Sequence, residues 1–273
     1  MGRLVKRGAR SSAVIFMVIL VAVAAGLAVR VFWRSAADTT TASCSTGPYS
    51  LDTGQAATAS TMVGVVLTRG LPERAAVLVL AAGLQESKLR NLASGDGDRD
   101  SVGVLQQRPS QGWGTIAQLN DLHYATGKFL DALVKVSNWQ TLSLAVAIQD
   151  VQISADGDAY AKHEGQAQAL SDALTGSTPA GLSCKFPTPK IVATTEQVTT
   201  SVTADLPVNP PSTAGSTVTV PGAGWATAAW FVANADRLGI TTVGFSERTW
   251  TRTKGWRTDA SAVTTAVTAT MHS

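Results

Sequence analysis

Ten consecutive residues, Ala75 to Leu84, read AAVLVLAAGL and carry no polar side chain. A helix that is apolar on every face must be enclosed by other elements, so this segment predicts a central, buried helix. Gly70-Leu71-Pro72-Glu73 just ahead of it breaks one helix and restarts another, with Pro72 and Glu73 suited to a first turn. A first apolar helix is predicted over Ala57–Leu67. Further helices are predicted over Ala117–Leu119, Tyr124–Val136, Leu142–Val151 and Asp158–Leu174. Residues 91–115 are rich in Gly, Asp and Ser and read as loop around a short apolar centre. The expected fold class is mainly α.

The N-terminus bears on compartment. Arg3, Lys6, Arg7 and Arg10 precede an uncharged apolar run from Ala13 to Val29. A bilayer is spanned by about 20 apolar residues, and the positive-inside rule puts such an N-terminus in the cytoplasm. Residues 1–34 are therefore expected to form a basic tip and a transmembrane anchor, making the protein single-pass with the remainder extracytoplasmic. The competing expectation is a cleaved signal peptide with Ala22-Val23-Ala24 at the cleavage site. Six of the 22 basic residues lie in this segment, and residues 35–273 carry 16 basic and 19 acidic side chains. That balance gives no basic face of the kind nucleic-acid binding needs.

Beyond the anchor, residues 35–53 read as a polar stalk and 54–184 as the main helical domain. Cys44 and Cys184 bracket that domain and are the only two cysteines. In an oxidising compartment they are expected to pair, with two free thiols as the alternative. Residues 185–221, rich in Pro, Thr, Val and Ser, read as a linker. Residues 222–273 are expected to form a small α+β module: a helix from Trp225 to Leu238 ended by Gly239, then strands over Ile240–Phe245 and Arg248–Thr251.

Glu86 stands directly after the apolar helix, in Leu84-Gln85-Glu86-Ser87. Partial burial there favours the neutral carboxyl, and a raised pKa suits a general acid for glycosidic cleavage. A structural glutamate near a helix end is the plain alternative. Gly103-Val104-Leu105-Gln106 follows after a loop. Glu86-Ser87 and this second motif together resemble the lytic transglycosylase and goose-type lysozyme superfamily. The longer string through Gln107-Arg108-Pro109-Ser110-Gln111-Gly112-Trp113-Gly114 is similar to an actinobacterial subgroup of it. The superfamily's third motif, of Ala-Tyr-Asn-Ala-Gly type, would fall at Val151-Gln152-Ile153-Ser154-Ala155, a poor literal match, with Tyr160 following. The resemblance covers about residues 57–176.

The resemblance implies a lysozyme-like helical fold and cleavage of peptidoglycan glycan strands, with Glu86 as the acid. A transglycosylase would reuse Glu86 as base on the sugar 6-hydroxyl and leave a 1,6-anhydro end. A muramidase would use water and a second carboxylate, for which Asp96, Asp98 and Asp100 are candidates. Gln106 would hold a substrate amide or hydroxyl and Ser87 would orient the acid. Trp113, Tyr124 and Tyr160 are candidate sugar-stacking rings, with core packing as the alternative for each. The opposed reading is a non-catalytic wall-binding or assembly protein that keeps the lysozyme fold.

No cofactor is expected. Asp96-Gly97-Asp98-Arg99-Asp100 departs from a calcium loop at Ser101 and Gln107, and His123, His163 and His272 are too few for a zinc site. His163 and Glu164 read as solvated. The C-terminal stretch, with Trp225, Trp230, Trp250 and Trp256, reads either as a wall-binding module using aromatic contacts or as a remnant whose tryptophans pack. It also weakly resembles a segment of D-alanyl-D-alanine carboxypeptidase-like domains, but with only His272 present no peptidase activity is expected.

Overall fold

The apolar run forms the centre of the molecule, as its composition requires. The computed structural model describes residues 42–96, 99–152 and 157–272. Strands β1 (Ser43–Thr46) and β2 (Tyr49–Leu51) lead into helix α1 (Thr53–Thr68) and then α2 (Glu73–Ser87). Asp52 and Gln55 start α1 with a reciprocal capping box, each side chain accepting the other's backbone N–H at 2.8 Å. Helix α2 starts after Pro72 with Glu73 in its first turn, and Ala75 to Leu84 are all buried. Short α3 (Ile116–Leu119), α4 (Leu122–Leu133), α5 (Leu144–Gln152), a 3-10 turn (Gly157–His163) and α6 (Glu164–Thr175) follow. All but α3 pack on α2, so the core is a helix ring around one apolar rod.

The mainly-α expectation is wrong: two antiparallel sheets accompany the helices. The three-stranded sheet has the order β2-β1-β3, with β3 at Ser183–Lys185. Cys44 and Cys184 face each other across β1 and β3 and form the expected disulfide, 140 residues apart in sequence. The six-stranded sheet is built from β4 (Ser212–Ala214), β5 (Thr217–Pro221), β6 (Ile240–Phe245), β7 (Arg248–Thr251), β8 (Gly255–Thr258) and β9 (Ala266–Met271), in the order β4-β5-β9-β6-β7-β8. Strand β5 buries Val218 and Val220 and turns its threonines outward, the alternation of a half-buried strand.

The segment expected to be a linker is structured. It contains α7 (Thr195–Asp205), β4 and β5, and residues 42–273 form one compact unit. Two buried polar anchors explain why. Arg252 donates to the carbonyls of Pro187, Ala235 and Ile240, pinning the segment's start. At its middle, the buried Asp205 carboxylate accepts from Trp230 Nε1 at 2.7 Å and Thr61 Oγ1 at 2.9 Å, and bonds His123 Nε2 at 2.8 Å. Gly64 permits that docking: a Cβ there would lie 2.3 Å from the Asp205 carbonyl oxygen. The expected helix from Trp225 to Leu238 is two, α8 (Trp225–Ala233) and α9 (Ala235–Leu238), with Gly239 ending the second in the left-handed region.

Burial pushes the Asp205 carboxyl up, but the bonds from His123, Trp230 and Thr61 outweigh it and hold it below its ordinary value. The Asp205 bond raises the His123 pKa against desolvation. A histidine held above its unfolded value stabilises the fold fully below the ordinary histidine pKa, and that contribution is lost as pH rises through the folded value. Urea midpoints measured from pH 6 to pH 9 should therefore fall with rising pH, and His123→Gln should flatten the decline.

The four C-terminal tryptophans are used in packing. Trp230 and Trp250 are buried, Trp225 meets Phe245 and Trp256 edge-on, and Trp250 and Trp256 donate to the Cys184 and Leu182 carbonyls. This is the packing role that stood as the alternative to an aromatic wall-binding face. The expected single-pass anchor has no support either: among the described residues no helix is long and apolar enough to cross a membrane. The run from Ala13 to Val29, with the rest of residues 1–41, lies outside the described residues.

Candidate functional site

Glu86 sits in the last turn of α2, which stops because Lys88 and Leu89 both take left-handed backbone angles. The chain turns away there, and the Glu86 carboxyl is half-buried, neither sealed in the core nor free in solvent. Tyr160, on the 3-10 turn, donates its hydroxyl to Glu86 Oε1 at 2.5 Å. Burial pushes the Glu86 pKa up, the Tyr160 bond and the nearby Gln152 amide at the end of α5 pull it down, and the balance leaves it raised. A carboxyl in this state is a proton donor closer to neutral pH than an ordinary glutamic acid.

The second motif lies against the same helix end. Val102 and Gln107 form an isolated antiparallel bridge, closing a tight loop with Val104 and Leu105 fully buried. Ser87 Oγ donates to Val104 O at 2.7 Å, with Gly83 O a longer second acceptor position at 3.2 Å, and accepts from Arg90 N–H. Ser87 is therefore buried and committed to tying the loop to α2, rather than to orienting the acid or touching a glycan. Gly103 has φ +79°, and a Cβ on it would lie 2.2 Å from the Leu119 carbonyl oxygen. Gly103→Ala is expected to destabilise the protein by about 1–3 kcal/mol through overpacking and backbone strain, read by denaturant titration.

Gln106 occupies the left-handed region at φ +47°, and its amide nitrogen donates to Gly103 O at 2.8 Å. That bond braces the turn, so the expected substrate amide contact would fall to its carbonyl oxygen. Gln152 Nε2 donates to Leu105 O at 3.0 Å, which ties the end of α5 to the loop.

The aromatic candidates divide. The Tyr160 side chain is 1% exposed, so its ring packs in the core and only its hydroxyl serves the site; the stacking role is withdrawn. Tyr124 Oη donates to the Trp113 carbonyl at 3.3 Å and its ring edge lies over Gly114, where a Cβ would come within 2.8 Å. Tyr124 thus supports the loop that carries Trp113. Trp113 is half-buried and packs partly on the core.

The two candidate second acids among the described residues are otherwise engaged. Asp100 accepts from Arg108 Nε at 2.7 Å and Ser110 N–H at 2.8 Å, and the hydrogen bonds from Ser110 and Arg108 hold its carboxyl far below the usual range. Asp96 accepts from Ala93 N–H within its own turn, and Asp98 lies outside the described residues. Among the described residues no group of three or more His, Cys, Asp or Glu is placed to hold a metal ion.

His163 is not simply solvated, whereas Glu164 is exposed as expected. His163 is half-buried, bonds Gln85 Oε1 at 3.0 Å, and is lowered by burial and the nearby Lys162 charge. Glu164 accepts from Arg74. Gln152 escaped the sequence reading as a site residue, although it lies inside the segment where a third motif was sought. No protein-family model matches the chain, and no curated protein matches it.

Proposed function

We propose that this protein cleaves peptidoglycan glycan strands, with Glu86 as the general acid and then the general base. The carrying observation is the half-buried Glu86 carboxyl at the end of the apolar helix, raised by burial and held at Oε1 by Tyr160. With Oε1 accepting from Tyr160, Oε2 is the atom that carries the transferable proton. Protonation of the glycosidic oxygen by Oε2–H breaks the bond to the muramic C1 and leaves an oxocarbenium-like sugar. The Glu86 carboxylate then takes the proton of that sugar's 6-hydroxyl, whose oxygen closes on C1 as a 1,6-anhydro ring. Proton and bond counts balance, and Glu86 is regenerated as the acid.

The engaged states of Asp96 and Asp100 favour this single-acid route over a two-carboxylate hydrolysis. The Cys44–Cys184 disulfide fits the oxidising compartment in which such a substrate is met. The test is the clearing of a purified peptidoglycan suspension by the full-length protein. Release of soluble glycan fragments supports the reading. Binding to the wall without release would instead favour a non-catalytic wall protein.

A further inference from the structure

We infer that the open cavity between α1, α4, α7 and α9 binds a small zwitterion, the end of a short peptide that carries both a free carboxylate and a free ammonium. The cavity measures about 400 Å³, and none of the Glu86 site residues lines it, so the inference does not rest on glycan cleavage. Its cation is Arg237, in α9. Arg237 Nε donates to Oδ1 of the buried Asn234 at 2.6 Å, and the guanidinium lies 5.7 Å from the centre of the Trp230 ring. These two contacts fix the plane of the group. Among the described residues no ion pair holds it, so its two terminal nitrogens are left to donate to a ligand. A planar fork of this kind is matched by a carboxylate, which takes two parallel N–H bonds.

Asp205 lines the same cavity but does not take up Arg237. Its carboxylate is engaged by Trp230 from α8, Thr61 from α1 and His123 from α4. The rest of the lining comes from the chain after α2 and from the junction of α3 and α4, and it offers acceptors. Asn91 uses its amide nitrogen on Asn120 O at 2.7 Å, and Asn120 uses its own on Ile116 O at 3.1 Å. Both side-chain carbonyl oxygens are left over. Asp121 Oδ1 accepts the His123 and Tyr124 N–H groups at 2.8 and 3.0 Å, which leaves Oδ2. His123 Nδ1 is 3.7 Å from Asp121 Oδ1, too far for a hydrogen bond. Three acceptors lacking a donor suit an ammonium, which has three hydrogens and no acceptor. An anion alone would meet the Asp121 charge and a cation alone the Arg237 charge. A ligand that carries both satisfies both.

The experiment is an NMR titration of the full-length protein at neutral pH with D-alanyl-D-alanine and with L-alanyl-L-alanine, followed at the Arg237 Nε–H and Trp230 indole N–H. Both resonances should shift saturably with at least one dipeptide, and the preferred stereochemistry shows whether wall peptide or ordinary peptide is the source. The C-terminal amide and the N-acetyl form of that dipeptide should each bind about tenfold more weakly or worse, the scale of one charge-assisted hydrogen bond. Arg237→Gln should weaken the dipeptide about as much and leave its amide unaffected. Asp121→Asn, which keeps a good helix cap, should weaken the dipeptide and leave the N-acetyl form unaffected. The Trp250 indole N–H, bonded to Cys184 O in the core, reports that each variant is folded and should not move. No saturable shift with either dipeptide, or equal binding of the charged and capped forms by the wild type, overturns the inference. Glu86→Gln should bind the dipeptide as the wild type does, so this result stands or falls separately from glycan cleavage.

Discussion

Converting Cys44 and Cys184 together to alanine is expected to lower the free energy of unfolding by roughly 2–5 kcal/mol. The crosslink joins residues 140 apart, and for a loop of that length the chain-entropy model gives about 5 kcal/mol. That figure treats the crosslinked unfolded chain as otherwise unstructured, and measured losses usually fall short of it. The location adds a local effect. Strand β1 is held between β2 and β3, and Cys184 O is the acceptor for buried Trp250 Nε1. Without the bond, hydrogen-exchange protection should drop first at Ser43–Thr46 and Ser183–Lys185. Guanidinium titration measures the global term. A loss under about 1 kcal/mol would mean that the sheet register alone closes the unit.

Glu86→Gln is expected to reduce glycan cleavage by about 10²–10⁴-fold, the range for loss of a general acid, while leaving the fold at least as stable at neutral pH. The sign follows from linkage. A carboxyl whose folded pKa lies above its unfolded one favours folding below the ordinary glutamate value. That contribution is lost as pH rises through the folded value. At pH 7 the wild type carries the cost of a desolvated carboxylate, and glutamine does not ionise. Its Oε1 still accepts from Tyr160. Thermal melts should show the variant level with or above the wild type at pH 7, with the gap closing toward pH 4. A purely structural Glu86 predicts the reverse, a destabilised variant, because its hydrogen bonds would then be net stabilising.

What was legible in the sequence was what one segment decides locally. Uniform apolarity from Ala75 to Leu84 has one stable resolution, a helix at the centre of a ring, and Pro72-Glu73 set its start. The cysteine pairing followed from there being two of them. Strands β6 and β7 were readable because Ile240–Phe245 and Arg248–Thr251 are short β-rich runs flanked by turns. The rest depends on partners far away in the chain. Thr217–Pro221 is a strand because β9 lies beside it, pairing Val218 with Ala269. Helix α7 is hidden by β-branched threonines that lower helix propensity, and its docking rests on Asp205 meeting Thr61, His123 and Trp230.

The site shows the same division. Glu86 and the glycine of the second motif were singled out from pattern, and the structure supplies the reason for Gly103 in its contact with Leu119 O. The roles of the other polar groups were not readable. Ser87 serves the loop, Tyr160 offers its hydroxyl instead of its ring, and Gln152 ties α5 to Leu105. Each depends on which buried carbonyl or carboxylate comes within 3.5 Å, and residue type does not specify that.

The measurement that bears most directly on the central claim is mass spectrometry of soluble material released from purified peptidoglycan by the wild type and Glu86→Gln in parallel. The predicted result is glycan fragments ending in 1,6-anhydro-muramyl units from the wild type and essentially none from the folded variant. Equal release from both proteins, or no cleaved glycan from either, would contradict it.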